Sequence, residues 1–431
     1  VSGVWRFWYS GIVIPLVWTA LRCLGLVNRK VKRGIRGRDG LFDALAASTS
    51  RLTPGKRVWF HSSSLGEFEQ AKPIIARLKE RHPDLHVIVS FFSPSGYEHS
   101  KKYPLADIIT YLPFDTRGNA RTFLDLVNPD AAVMVRYDIW PNHIWELHAR
   151  GIPTLIANAT MRSRSPRFFP LARGFHHQVY NAIDDILTVA PSDASNFRKF
   201  RLDHPHIASI GDTRYDQVST RSADARKRRI LPEEILNGRK VIVLGSSWPE
   251  DEEVVLPAVT RLLREIPASL CIVVPHEPTE AHLEELEGDL DAGISHIRFS
   301  AMNEYNGERI IIVDSVGVLL ILYAHARFAF VGGSFKQGVH NVLEAAVYGI
   351  PVLFGPRYRN SHEPLMLVER GGGFVVTTSD EAYRTMKHLL EDDTACSAAG
   401  ERAVRFVQSH VGATEQVLSH LEHRLNGSAG T

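Results

Sequence analysis

The chain has 431 residues, enough for two domains of ordinary size, and its 44% apolar content is that of a globular protein. A formal net charge of +2 gives no global attraction to nucleic acid. The three cysteines, Cys23, Cys271 and Cys396, are too widely spaced for a disulfide framework or a metal motif, which fits a reducing compartment. In chain order the first feature is an uncharged run at 7–21, rich in aromatic and β-branched residues and flanked by Arg6 and Arg22. As a helix it measures about 22 Å, short of the roughly 30 Å hydrocarbon core; extended to residue 27 it spans that core if Arg22 snorkels. Arg29, Lys30, Lys32, Arg33, Arg36 and Arg38 follow at once. A secretory signal carries its charge before the apolar run. Residues 1–39 therefore read as a retained membrane anchor whose basic flank meets anionic membrane lipid on the cytoplasmic side. The alternative is a buried first helix with a solvated basic tail.

From residue 58 onward apolar runs alternate with helical stretches. Strands are expected at 58–60, 87–92, 108–112, 131–135, 154–157, 186–189 and 207–210. The charged stretch 221–240, with Pro232 and Gly238, interrupts the pattern and reads as an interdomain region. The alternation resumes at 241–244, 271–274, 310–313, 328–331, 352–354 and 374–376. This is the pattern of two doubly wound α/β domains with parallel sheets, a ligand cleft being expected between them. The expected divisions are 40–220, 221–410 and a final helical segment at 411–431.

Two segments carry chemistry. In the first, a strand at 58–60 runs through His61-Ser-Ser-Ser-Leu-Gly-Glu67 into a helix with Phe68, Ala71, Ile74, Ile75 and Leu78 at helical spacing. A carboxylate in a first turn ordinarily complements the helix dipole. Glu67 also stands at the carboxyl end of a strand, where open α/β sheets bind ligands, and a general base there is the functional reading. In the second, a strand ending at Val331 meets Gly332-Gly333-Ser334, then a polar loop, then a helix expected to carry His340, Asn341 and Glu344. Glycines admit a ligand to the backbone, a helix N-terminus favours an anion, and Glu344 can accept hydrogen bonds from sugar hydroxyls. That is the layout of a nucleotide-sugar donor site, or of a plain strand–turn–helix connection.

Together with Ser93-Pro-Ser-Gly96, Leu112-Pro-Phe-Asp115, Ile139-Trp-Pro-Asn142, Gly211-Asp-Thr-Arg-Tyr-Asp216, Gly245-Ser-Ser247 and Gly349-Ile-Pro-Val-Leu-Phe-Gly-Pro356, these segments resemble the Kdo transferases of lipopolysaccharide synthesis. The resemblance runs in order along nearly the whole chain. It implies a GT-B glycosyltransferase with two Rossmann-like domains facing a central cleft. The reaction implied is inverting transfer of 3-deoxy-D-manno-octulosonic acid (Kdo) from CMP-Kdo to a lipid A precursor, at the cytoplasmic face of a bacterial inner membrane. The first domain would bind the acceptor and the second the donor, and by analogy the last helix would pack back on the first domain.

The resemblance places the family's essential base on Glu67. Donor contacts are expected from Arg214, Ser246, Ser247, His276, Gly332, Gly333, Ser334, Lys336, His340, Asn341 and Glu344, with Glu344 on the ribose. Acceptor or sugar contacts are expected from His61, Ser64, Gly66 and Asp138. An Asp212 or Asp216 partner would instead make Arg214 an ordinary surface pair. No Asp-x-Asp motif sits in a suitable loop, so no metal cofactor is expected, the departing phosphate being held by helix N-termini and basic side chains. The chain departs from the family pattern at Pro275-His276-Glu277, Gly338-Val339-His340 and Leu343-Glu344-Ala345, at Arg136 where relatives carry an acid, and at Asp138 where they carry a glutamate. Competing readings are a GT-B transferase with a UDP-sugar donor and a lipid-linked acceptor, and a membrane-associated relative without activity.

Overall fold

A computed structural model describes residues 3–290, 293–359 and 361–427. The chain divides into two units, Val1–Gln217 with Val411–Thr431, and Val218–His410. In the first unit, strands β1 (Arg57–Ser62), β2 (His86–Phe91), β3 (Ile108–Tyr111), β4 (Ala131–Val135), β5 (Thr154–Ala159), β6 (Asp185–Thr188) and β7 (His206–Ser209) form a sheet of order β3-β2-β1-β4-β5-β6-β7. All its pairings are parallel. Helices cover both faces, so the central strands are buried on both sides and read as unbroken apolar runs.

The second unit repeats the plan. Strands β8 (Lys240–Ser247), β9 (Ser269–Pro275), β10 (His296–Arg298), β11 (Ile310–Ile312), β12 (Phe328–Val331), β13 (Val352–Phe354) and β14 (Gly373–Val375) form a parallel sheet of order β10-β11-β9-β8-β12-β13-β14. The strand β10 has no counterpart among the sequence expectations. It is a three-residue edge strand containing His296 and Arg298, too short and too polar to stand out. The charged stretch 221–240 is not a separate linker: the unit boundary lies inside the helix Thr213–Ala225.

The last helix, Ala413–Gly427, completes the core of the first unit. Val417, Leu418, Leu421 and Leu425 are buried with Phe68, Ile74 and Leu78 of the helix Leu65–Arg81. Asp216 accepts the Gly412 and Thr414 amides at 2.7 and 3.1 Å, which fixes the start of that helix.

The N-terminal segment also belongs to the first unit. A continuous helical stretch covers Gly3–Val27, 25 residues and therefore about 37 Å, with a π-helical stretch at Tyr9–Val13. One side docks: Tyr9 and Ile14 are buried in the core with Trp145 and Leu45, and the Tyr9 hydroxyl donates to Asp115 at 2.9 Å. The other side leaves Val4, Phe7, Leu16, Leu26 and Val27 exposed. Arg38 then fastens the basic flank, donating to the carbonyls of Leu112 and Phe92 at 2.8 and 2.9 Å. Residues 3–39 are thus integrated with the sheet domain that follows.

Candidate active site

In the first sheet the strand order reverses between β1 and β4, and in a doubly wound fold the crevice at the carboxyl ends of such strands binds ligands. The loop after β1 supplies Ser63, Ser64 and, in the first turn of the helix Leu65–Arg81, Glu67. The loop after β4 supplies Arg136, Asp138 and Trp140. Two motifs about seventy residues apart in sequence therefore meet because β1 and β4 pair, His61 lying opposite Met134.

Glu67 is 5% exposed, and its Oε2 accepts the Ser63 amide at 2.6 Å. Burial pushes its carboxyl above the usual range, and the negative charge of Asp138 adds to the rise; the Ser63 amide and His61 offset part of it. Asp138 goes the other way. Burial would raise it, but the hydrogen bond and charge of His61, with help from Trp140 and Ser63, bring it below the ordinary value. The His61 Nε2 lies 2.8 Å from Asp138 Oδ2, and the Trp140 indole N–H donates to the same oxygen at 3.2 Å. Two carboxyl groups with opposite shifts stand side by side, one kept ionised and one raised towards the range of a working base.

His61 lies behind Asp138. It is fully buried, with Nδ1 2.8 Å from the Ser90 hydroxyl and Nε2 on Asp138, so both ring nitrogens are engaged within the protein and the ring positions Asp138. Ser64 is the half-buried N-cap residue of the Glu67 helix. Gly66 is exposed, and a side chain there would meet nothing within 4 Å, which leaves open space one residue from Glu67. Sequence reasoning treated Arg136 only as a departure. It adopts the left-handed conformation at φ 66°, and its Nε is buried without a hydrogen-bond partner. Strain of that kind concentrates at functional sites.

The second sheet reverses order between β8 and β12, which brings Ser246 and Ser247 beside Gly332, Gly333 and Ser334. Ser246 is left-handed at φ 52°, and a Cβ on Gly332 would lie 2.2 Å from the Ser246 carbonyl oxygen, so the two loops touch and only glycine fits. Several groups expected to face the donor are already engaged. The carboxylate of Asp251 accepts the amides of Gly333 and Phe335 at 2.7 and 3.3 Å, and of Trp248 at 3.0 Å. The Ser247 hydroxyl donates to Glu252 at 2.6 Å, and the buried Ser334 hydroxyl accepts the Gly355 amide at 2.7 Å. Lys336 is ion-paired with Glu250.

His276 is exposed and stacks between Trp248 and His340, with ring centroids 4.9 and 4.3 Å away. The Trp248 indole donates to His340 Nε2 at 2.8 Å, which requires a neutral ring there; burial and the neighbouring His276 lower His340 to about 4. His340 and Asn341 precede the helix rather than riding on it. That helix is only Leu343–Ala346, and Asn341, just before its N-cap residue Val342, accepts the Leu343 amide at 3.2 Å. Glu344 lies in its first turn, 3.5 Å from Arg221. Arg214 falls in the first unit, where it holds Asp212 through Nε and Nη2 at 2.9 and 2.8 Å.

Among the described residues the His/Cys/Asp/Glu group close enough to hold an ion is Asp185, His206 and His420. It sits at the amino ends of β6 and β7, the sheet edge opposite Glu67, and Asp185 is also held by Arg424 at 2.7 Å.

Comparison with known proteins identifies the family. A family model described as 3-deoxy-D-manno-octulosonic-acid transferase (kdotransferase) matches residues 34–217, which contain the whole Glu67 site. The 3-deoxy-D-manno-octulosonic acid transferase of Haemophilus influenzae is 27% identical over 97% of this chain and 98% of its own length. A probable mitochondrial 3-deoxy-D-manno-octulosonic acid transferase of Arabidopsis thaliana is 30% identical over 70% of this chain and 69% of its own. The chain belongs to the 3-deoxy-D-manno-octulosonic acid transferase family. The transferase also shares its fold with a putative UDP-N-acetylglucosamine 2-epimerase from Listeria monocytogenes, at TM-score 0.58 and 15% identity over 86% of this chain and 98% of that one. The family and the two-sheet α/β architecture are those expected from the sequence motifs.

Proposed function

We propose that this transferase moves Kdo from CMP-Kdo to a hydroxyl of a lipid A precursor, with inversion, at the cytoplasmic face of a membrane. The observation that carries this reading is Glu67: a buried carboxylate with raised proton affinity, beside open space, at the switch point of the first sheet. The acceptor oxygen attacks the anomeric carbon of Kdo from the face opposite the phosphate. Glu67 takes the hydroxyl proton as the new C–O bond forms. The bond from carbon to phosphate oxygen breaks, and its electron pair leaves with CMP. Asp138 assists without touching the proton, since its charge raises the basicity of Glu67, and His61 with Trp140 holds it in place.

Donor recognition is assigned to the second unit. Trp248, His276 and His340 offer a stacked aromatic face, Lys336 a positive charge, and Glu344 a carboxylate for the ribose hydroxyls. Asp251 holds the glycine loop that these groups flank. No metal is invoked, and the transfer is expected to continue in excess EDTA; loss on chelation with recovery on magnesium would count against this assignment. The deciding assay is release of CMP from CMP-Kdo on addition of the lipid acceptor. CMP is expected to protect the protein against heating and UDP is not. Protection by UDP alone would replace the donor with a UDP-sugar.

A further inference from the structure

Asp185, His206 and His420 come from three parts of the chain and meet at one edge of the first unit. Asp185 opens β6, His206 opens β7, and the two are partners in the parallel register. His420 rides on the helix Ala413–Gly427, whose apolar side is packed into the core of the same unit. Asp185 is buried, and both rings reach its Oδ1: Nδ1 of His420 at 3.1 Å and Nδ1 of His206 at 3.4 Å. The two imidazoles stack, with centroids 5.1 Å apart and planes 23° from parallel. The three ligating atoms lie within 4.8 Å of one another.

A hydrogen-bond network accounts for only part of this arrangement. His420 is within the usual range of an N–H···O bond to Asp185, but His206 at 3.4 Å is beyond it. In a tetrahedral zinc site with bonds of about 2.0–2.2 Å the ligand atoms stand about 3.3 Å apart. The two carboxylate–imidazole distances bracket that value. The His206 side chain is 56% exposed, so its ring is free to turn and set the third edge. The carboxylate is already oriented for a single bond to a metal. Arg424 donates through Nε to Oδ2 at 2.7 Å and through Nη2 to the Asp184 carbonyl at 3.3 Å, which leaves Oδ1 to the histidines. Hydrogen bonds to the far oxygen hold metal-bound carboxylates in place. The same guanidinium repels a cation, which sets the affinity below that of a closed four-ligand site.

We propose that Asp185, His206 and His420 form a structural site for a divalent transition metal, with zinc as the expected ion. Each histidine gives its Nδ1 lone pair and keeps its proton on Nε2, Asp185 gives Oδ1, and water completes the shell. Two imidazoles with one carboxylate suit zinc; magnesium and calcium take oxygen ligands. The site lies at the amino ends of its strands and Glu67 beyond the carboxyl end of β1, so no step of the transfer passes through it. Its effect is mechanical. The last helix packs Val417, Leu421 and Leu425 against the helix that begins beside Glu67, and the metal ties that last helix to the sheet. The folded chain brings the three ligands together and the unfolded chain does not, so the metal stabilises the fold by mass action.

The test uses the full chain without an added histidine tag, stripped with EDTA and dialysed. Zinc titrated in competition with a chromophoric chelator is expected to bind at a Kd on the order of micromolar. At free zinc about a hundredfold above that Kd the melting temperature is expected to rise by about 5 °C or more, and magnesium at the same concentration is expected to change nothing. His206→Ala and His420→Ala are each expected to weaken the site by about tenfold or more and to abolish the zinc-dependent rise. His423→Ala, which removes an exposed histidine of the same helix, is expected to keep both. Melting without metal separates the site from a plain hydrogen-bond network, because His206→Ala gives up no hydrogen bond to Asp185 and should melt with the unaltered protein. No rise in the unaltered protein, an equal rise with magnesium, or undiminished zinc affinity in both His206→Ala and His420→Ala overturns the site. Kdo transfer well below the melting range is expected to be equal with zinc and with EDTA; transfer that EDTA abolishes and zinc restores overturns the structural assignment. If the unaltered protein transfers no Kdo, the proposed reaction fails, and the binding and melting arms still decide the metal site.

Discussion

The two sheets place their chemistry at the same topological point and treat charge there in opposite ways. At the switch point of the first sheet, Glu67 is buried with the Ser63 amide on Oε2, a weaker contribution from the Ser64 amide and a like charge next to it, and its carboxyl is raised. At the switch point of the second, Asp251 is also buried and also raised by that burial, but it accepts three backbone amides and ties two loops together. The first carboxylate lies one residue from the exposed Gly66; the second is enclosed by its own chain. The same fold and the same residue chemistry thus produce a proton acceptor in one unit and a loop clasp in the other. What separates the two is the like charge of Asp138 beside Glu67 and the two distant amides, from the Gly333 loop, that close on Asp251.

The largest expected effect is on Glu67. Glu67→Gln keeps size and the Ser63 contact but removes basicity, so turnover should fall by roughly two to four orders of magnitude while CMP affinity holds. The same change should not cost stability. A carboxyl whose folded pKa lies above its unfolded value opposes folding once pH exceeds that range, so removing the charge should leave the melting temperature at pH 8 unchanged or higher. A mutant that is both near-normal in turnover and less stable would make Glu67 a structural residue like Asp251. Next in size is Glu344→Ala. Loss of charge-assisted bonds of about 1.5–3 kcal/mol should weaken CMP binding by roughly ten- to a hundredfold by calorimetry. Unchanged affinity in a folded mutant would leave Glu344 a structural residue that pairs with Arg221.

The contrast between the units also marks where sequence reading stops. The central strands are legible because burial on both faces leaves apolar runs such as Val241 to Leu244, and Glu67 is legible because it opens a helix directly after such a run. The raised proton affinity of Glu67 is not legible, since it depends first on burial in the folded chain and then on Asp138 arriving through the β1–β4 pairing. Asp251 reads as an ordinary first-turn acid; its partners Gly333 and Phe335 are 82 and 84 residues further on. A tryptophan followed by Pro-Glu-Asp after a strand is a weak sign of a helix start and gives no sign of a clasp. The apolar run at the N-terminus stands out at once, but its docking rests on Tyr9 reaching Asp115 across 106 residues. For that reason truncation before Gly40 removes part of the core of the first unit and is not a clean test of membrane attachment.

The clasp itself can be broken. Asp251→Ala leaves the amides of Gly333 and Phe335 without their acceptor, each buried group costing about 1–3 kcal/mol. Denaturant unfolding should show a loss of that order, with weaker CMP binding as the loop loosens and with Glu67 untouched. A mutant of full stability that binds CMP more tightly would mean instead that Asp251 occupies the place of a donor phosphate and competes with it.

The smallest expected effect is a shift along the pH axis, and it separates the influence of Asp138 from its mere presence. Glu67 must be ionised to accept a proton, so kcat/KM should fall as pH drops through its raised pKa, with the acid limb above the ordinary carboxylate range. Part of that rise comes from the charge of Asp138, which stays ionised to lower pH because His61 and Trp140 bond its Oδ2. Asp138→Asn removes the charge and keeps the shape, and the amide oxygen can still accept from both partners. The acid limb should then move to lower pH, and the plateau rate should fall because a less basic Glu67 pulls less strongly on the acceptor proton. Burial, the larger cause, remains, so the limb should stay above that of a free glutamate. A limb that does not move while the plateau falls would place Asp138 in contact with substrate instead. A limb that moves upward would mean that the ionised partner of Glu67 is not Asp138, and the pairing of opposed carboxyl groups at this switch point would no longer account for the base.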